Sequence, residues 1–532
     1  MTVMVESFAT KAVQAVTTLS LGLLVVLSAI LLTLAVAIYR ITLHPLASFP
    51  GPPLWAMTRL PYAYYFVIGR LPYKIAELHE EYGPTIRLAP GEISFIDEEA
   101  WHDIYVKKVP GFGQLQKNPT DWIPPQSGVN GLGPFPLADH VHSRIRYVTY
   151  IKTLMDQKNR LTFKRGNFAV AFSDRSRREQ EPILLKYVSE FIRVLRKNSG
   201  IPLDMCKWYN FVTFDIGGEL TFGTSFDCLK TTTLHSWIGN VFGYATGAAI
   251  LGMTQNFWPL TPLLMSLVPK TMRDAAEKHT RSTEDMLTKR LGDTEPRKDL
   301  QVLVQPALKN LSQTDGVSYQ ELLETCASFI LGGSETTATL LSGLTYYLLE
   351  NPRVLAKLAH EVRTSFSSQE EINSATISNL TYLPAVLSEA LRLFPPVPGH
   401  MRRVVPSGHH ITISGHTVPP NTRVAVDIYS TGHCSHNFFK PKEFIPERWL
   451  ADPPAEFRND KRKVIQPFLV GPRACIGKAF AQLEMKLVLA SLLLEFDLER
   501  VERKGDWLGG LKVRGFFSKD PLMVRLVPVK KE

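Results

Sequence analysis

The chain has 532 residues, 45% of them hydrophobic, with 60 Lys and Arg against 50 Asp and Glu and a formal net charge of +10. That length and apolar content supply a large core and exclude a disordered chain, while the five scattered cysteines, an odd number with no C-x-x-C pair, exclude a disulfide framework and a zinc ribbon. The basic excess is spread along the chain without any nucleic-acid motif, which points to a membrane surface or an acidic protein partner and away from DNA and RNA.

No charged residue lies between Lys11 and Arg40. The run LSLGLLVVLSAILLTLAVAIY can cross a hydrocarbon layer of about 30 Å at about 1.5 Å per residue, and residues 1–40 read as a single-pass membrane anchor. A cleaved signal peptide would carry a shorter apolar part and a small-residue cleavage site, whereas Tyr39, Arg40 and His44 follow here as interfacial residues. PLASFPGPP, within residues 41–56, predicts a stiff, extended neck. The body from residue 57 to 532 is mostly helical. The stretches ELLETCASFILGGSETTATLLSGLTYYLLEN, LPAVLSEALRLF and AFAQLEMKLVLASLLLEF have helical patterning, and TIRLAP, EISFID, HHITISG and TRVAVDIY alternate as short strands. Without strand-helix alternation or a repeat, a Rossmann sheet, a barrel and a solenoid are excluded.

The stretch FLVGPRACIG, residues 468–477, sets Cys475 among Phe468, Gly471, Arg473 and Gly477, directly before a helix. Glycines permit a tight turn, and the helix N-terminus favours a thiolate. Such a thiolate is either a nucleophile or an axial ligand to haem iron, and a buried structural cysteine is the plain alternative. A nucleophile needs a histidine base, and no QAC-type or CGSCW-type context surrounds Cys475.

F-x-x-G-x-R-x-C-x-G resembles the haem-binding loop of the cytochrome P450 family, and further stretches agree in the family's order. GGSETT, residues 332–337, resembles the oxygen-activation motif. The resemblance implies that Glu335 and Thr336 sit above the iron and relay protons, in a distorted turn that the glycine pair and hydroxyls favour. Glu389 and Arg392 match E-x-x-R. With Arg448 of P-E-R-W they are implied to be a buried structural lock under the haem loop. For the haem propionates the family pattern implies His142, Arg146 and Arg403. KWYNFVTFDIGGELTFGTSFDCL, residues 207–229, is similar to fungal isotrichodermin C-15 hydroxylase-like enzymes.

The resemblance thus implies a mainly α P450 fold with small β-sheets behind one transmembrane helix, haem b (heme) held by Cys475, and monooxygenation of a hydrophobic terpenoid or polyketide-type intermediate of fungal secondary metabolism. Residues 111–135, Phe329 and residues 397–401 are expected to line the pocket. No G-x-G-x-x-G fingerprint is present, so electrons from NADPH must arrive through a partner, an NADPH-cytochrome P450 reductase. Lys461, Arg462, Lys463, Arg473 and Lys478 are its candidate contacts or plain solvated surface. The endoplasmic reticulum membrane, with the body in the cytosol, is the implied location. A haem-thiolate isomerase or dehydratase is the alternative. One departure stands out: YVTYIKTLMDQKNRLTFKR, residues 147–165, interrupts the family pattern after HSRIR. Its removal leaves a smooth join, and it reads as a retained intron or gene-model error. A solvated loop is the other reading, and a real insertion there would favour an inactive membrane haemoprotein.

Overall fold

The computed structural model describes residues 23–117, 170–257, 260–266, 270–292, 319–501 and 505–530. His142, Arg146 and the 147–165 stretch lie outside them. The first described element, α1 (Leu23–Thr42), is apolar and exposed along its length, which makes it a candidate membrane span. The stretch read as a stiff, extended neck is extended in part and helical in part. Pro52 is extended, but Pro53 opens a short helix, α2 (Pro53–Met57), as proline does at a first helical position. The neck is also fastened to the body. Arg87 donates to the carbonyls of Arg40 at 2.7 Å and Leu46 at 3.3 Å, and Leu46 and Trp55 are buried. A Cβ on Gly51 would lie 2.6 Å from the Arg87 carbonyl oxygen, so only glycine lets the two backbones approach. The next helix, α3 (Leu60–Val67), keeps Leu60, Tyr64 and Val67 exposed while burying Tyr62.

Arg87 belongs to β1 (Thr85–Ala89), which pairs antiparallel with β2 (Glu92–Phe95). Both strands are buried on each face, consistent with their apolar alternation being filled in by partnered polar residues. Asp97 accepts from the Ala100 amide and caps α4 (Glu98–Tyr105). The sheet is completed by β3 (Gln116–Lys117), β4 (Arg403–Val404) and β5 (Arg423–Val426), in the order β1-β2-β5-β4-β3. Its β2–β5 pair is parallel. The register sets Lys117 opposite Arg403, which brings two cations from distant sequence onto one ladder.

Helices form the rest of the core. α5 (Asp174–Lys197) and α6 (Met205–Phe222) pack together, and α6 is buried almost throughout. The expected long helix is broken into α7 (Tyr319–Ile330), a π turn (Leu331–Glu335) and α8 (Thr336–Glu350). α9 (Tyr382–Leu393) carries Glu389 and Arg392, and α10 (Lys478–Glu495) follows the cysteine loop.

Candidate active site

Five cysteines behave in two ways. Cys206, Cys228, Cys326 and Cys434 are buried, and burial pushes each thiol up to about 12. Cys475 alone is exposed, and it faces a cavity of about 620 Å³. The loop that presents it depends on backbone that glycine supplies: Gly471 has φ of 77°, and a Cβ there would lie 2.4 Å from the Tyr105 carbonyl oxygen at the end of α4. The chain then returns, and the Cys475 amide donates to the Phe468 carbonyl at 2.7 Å. Gly477 caps α10 immediately afterwards. Cys475 thus stands two residues before the N-cap of an 18-residue helix, and a helix N-terminus favours an anion.

Positive charge gathers beside the loop. Arg473 lines the cavity and donates to Gln116 Oε1 at 2.9 Å. Arg403 donates to the carbonyls of Met401 at 3.3 Å and Arg402 at 3.0 Å. Burial, then Arg403 and Arg473, push the Lys117 ammonium down to about 7. Burial and then Arg403 lower Arg473 to about 10, and burial lowers Arg403. Three desolvated cations thus converge.

Across the cavity lies the π turn. Gly332, Gly333, Thr336 and Thr337 line the open space, and a Cβ on either glycine would meet nothing within 4 Å. Hydroxyls hold the distortion: Thr336 Oγ1 donates to the Gly332 carbonyl at 2.5 Å and Ser334 Oγ to the Thr213 carbonyl at 2.9 Å on α6. Glu335 does not join Thr336 at the cavity. Its buried carboxylate is ion-paired with Lys519 and accepts from Thr339 Oγ1 at 3.0 Å. Its side chain turns instead toward α8 and toward Lys519, which neutralises it away from the cavity.

Residues 136–511 match the sequence model of the cytochrome P450 family. The chain belongs to the cytochrome P450 family. Among similar proteins, averantin hydroxylase of Dothistroma septosporum is 40% identical over 503 residues, covering 94% of this chain and 90% of that protein. The cytochrome P450 monooxygenase astA of Talaromyces wortmannii is 37% identical, with 92% and 94% covered. The cytochrome P450 monooxygenase FUM2 of Gibberella moniliformis is 36% identical, with 93% and 100% covered. The fold is that of a P450, and the protein is a P450 monooxygenase, an enzyme class that works with haem held by a cysteine thiolate.

The residues of this P450 fit that group. Cys475 offers an exposed thiol on one wall. Arg403 and Arg473 hydrogen-bond neutral oxygens among the described residues, and with Lys117 they form a cationic cradle suited to the two propionates. Lys117 escaped the sequence reading because its place depends on strand pairing. Gly477 keeps the wall beside the sulfur free of a side chain, with only the Phe172 ring, at 3.7 Å, near the missing Cβ.

Beneath the loop, Glu389, Arg392 and Arg448 come together fully buried. Arg392 is bidentate on Glu389 at 2.8 and 2.7 Å, and Arg448 Nε reaches it at 3.1 Å. The Trp449 indole and the Ile445 amide add further donors, each at 2.8 Å. Asp460, which no motif singled out, pairs with Arg448 and balances the charge of the cluster. These cations pull the Glu389 carboxyl below its usual range against burial, the largest opposing effect.

Of the expected pocket wall, Phe329, Val397, Gly399, His400 and Met401 line the cavity. Residues 118–135 lie outside the described ones. The sequence reading missed Tyr62, Asp427 and Glu484, which also line it; the signal for Glu484 was a carboxyl in the apolar AFAQLEMKLVLA run. Of the proposed reductase contacts, Lys461, Lys463 and Lys478 are exposed. Arg473 is half-buried and engaged with the exposed Gln116, and Arg462 is tied at 3.2 Å to the carbonyls of Arg448 and Leu450.

Proposed function

We propose that this P450 inserts one oxygen atom into a bulky, mainly apolar small molecule of fungal secondary metabolism, of terpenoid or polyketide type. The observation that carries the reading is the exposed Cys475 thiol facing, across one cavity, the Thr336 hydroxyl of a π turn. The hydroxylases among the similar proteins favour hydroxylation as the outcome. Haem, when bound, supplies the reductive activation of dioxygen and the transfer of one oxygen atom. The chain's part is positioning. The α10 N-terminus would favour Cys475 as a thiolate, Arg403, Arg473 and Lys117 would neutralise the propionates of the group, and the glycine pair would leave room for a diatomic gas. The Thr336 hydroxyl, now donating to the Gly332 carbonyl, would be free to hold a water in the cavity once that bond opened. The apolar wall around Phe329 and Val397 excludes bulk water and accepts the substrate.

Electrons come singly from NADPH through a membrane-bound NADPH-cytochrome P450 reductase, whose acidic face meets Lys461, Lys463 and Lys478. The site of action is the endoplasmic reticulum, with α1 as the anchor and the body in the cytosol.

The test is spectroscopic. Protein expressed with haem, reduced and exposed to carbon monoxide, is expected to show the red-shifted band of thiolate ligation, and Cys475→Ala to lose it. An unchanged band in Cys475→Ala would overturn the assignment. Adding reductase and NADPH to fractions from the producing fungus then identifies the substrate.

A further inference from the structure

Apolar side chains dominate the cavity wall, but one corner of it is charged. Tyr62 of α3, His400 and Arg402 ahead of β4, and Asp427 just past β5 line the cavity together. Behind them Glu92, which opens β2, is buried and pairs with Arg59 at 2.6 Å, His400 at 3.2 Å and Arg402 at 3.5 Å. Against burial, the largest effect, these cations hold the Glu92 carboxyl well below its usual range. Both ring nitrogens of His400 face carboxylates, with Nδ1 3.1 Å from Asp427 Oδ2 and Nε2 3.2 Å from Glu92 Oε1. A carboxylate only accepts, so the ring carries a hydrogen on each nitrogen and is cationic. Nε2 also lies 3.0 Å from the Tyr62 hydroxyl, whose oxygen accepts and whose own hydrogen remains a donor.

Acceptors in this corner are taken, and donors remain. Asp427 Oδ1 accepts from the Ser430 amide at 2.8 Å and hydroxyl at 2.6 Å, while Oδ2 accepts from His400. A guanidinium has five N–H donors, and the Glu92 contact commits only part of the Arg402 fork. Elsewhere on the wall the Gln180 and Asn256 amides are tied to the carbonyls of Ala171 at 3.1 Å and Met253 at 3.2 Å. A cationic fork on the wall of an apolar cavity suits an anionic oxygen better than a hydrocarbon surface.

We propose that Arg402, with the Tyr62 hydroxyl beside it, anchors an acidic oxygen group of the substrate, a carboxylate or a phenolate, while the apolar remainder of the molecule reaches toward Thr336. The inference rests on the monooxygenase reading and deepens it: the substrate is an apolar acid of polyketide type and not a neutral terpenoid hydrocarbon. Glu92 and His400 are positioning residues. Glu92 orients the guanidinium, and His400 fixes both Glu92 and the Tyr62 oxygen. Arg403, the next residue, belongs to the propionate cradle, so adjacent cations divide between haem and substrate.

The test titrates the haem-loaded protein with pyrenebutyrate and, in parallel, with its methyl ester, reading binding by the quenching of pyrene fluorescence. The wild type is expected to bind the acid about tenfold or more tighter than the ester. Arg402→Gln is expected to bring that preference below about threefold by weakening the acid, a change that a merely structural contact would not produce. If Arg402→Gln fails to take up haem, Tyr62→Phe removes one donor and no charge, and is expected to cut the preference by about threefold. Equal binding of acid and ester by the wild type, binding of neither, or a preference that survives in the variants overturns the proposal. Any of those results beside an intact carbon-monoxide band of thiolate type would sink the anchor and leave the monooxygenase reading standing, whereas a wild type without that band would sink the reading itself.

Discussion

At the scale of single residues, the cationic cradle has opposite consequences with and without its guest. Lys117, Arg403 and Arg473 repel one another where burial strips part of their solvent. Removing one cation therefore relieves strain in the empty protein. In the loaded protein the same change leaves a buried carboxylate short of a partner, which costs roughly 1.5–3 kcal/mol, or about tenfold to a hundredfold in affinity. Lys117→Met is thus expected to raise the melting temperature of the haem-free protein and to speed haem transfer to an acceptor apoprotein. Slower or equal transfer would contradict the cradle. Arg403 could be found in the sequence because it follows E-x-x-R at a regular distance. Lys117 could not, since nothing local in GQLQKNP marks it and only the β3–β4 register brings it to the site.

At the scale of elements, two close fits are open to test. Gly471→Ala would place a methyl group 2.4 Å from the Tyr105 carbonyl in backbone of positive φ, so the loop must shift and the thiol with it. The expected result is a protein that still folds but holds haem weakly, shown by a low ratio of haem absorbance to protein absorbance. Glu389→Gln removes the anion between Arg392 and Arg448 and leaves uncompensated buried charge, at a cost of about 3–5 kcal/mol. Denaturant midpoints check this, and a loss under about 1 kcal/mol would mean that solvent reaches the cluster. The sequence showed these elements well, because α9 and α10 have unbroken helical patterning and E-x-x-R spacing places both charges on one face. The bend at GGSETT was also readable from its glycines and hydroxyls. The direction of Glu335 was not, because a motif fixes which residues are present and the helical phase after a π turn fixes where they point.

At the scale of the whole molecule, the pH response is set by buried imidazoles. Burial holds His79 down to about 4 and His433 down to about 3 from their ordinary 6.5; Arg392 adds to the depression at His433. Below 6.5 the unfolded chain binds protons that the folded chain refuses, so stability falls as pH drops from 6.5 through both folded values, by about 1.4 kcal/mol per unit and group. The Glu447 carboxyl, depressed to about 2 against burial by Arg353, Tyr382 and Lys357, adds its own loss only below the ordinary 4.5. The Glu484 carboxyl, which burial raises to about 8, adds stability as pH falls from about 8 to 4.5 and offsets about one imidazole. Urea midpoints are therefore expected to decline from pH 6.5 to about 5 with about the slope of one group, and a plateau there would rule out the joint imidazole contribution. A second expectation concerns the neck: Arg87→Ala removes its bonds to Arg40 and Leu46, and limited proteolysis is expected to cut near residues 43–49 faster while the body stays intact.

Because the strap between α1 and β1 is bolted down by Arg87 on one side and by Arg40, which donates to the Met57 carbonyl, on the other, the body is mounted on a bracket and cannot swing like a float on a leash. Whatever tilt the span adopts is handed on to the sheet. The greasy rim of Leu60, Tyr64 and Val67 then keeps a constant bearing relative to α1.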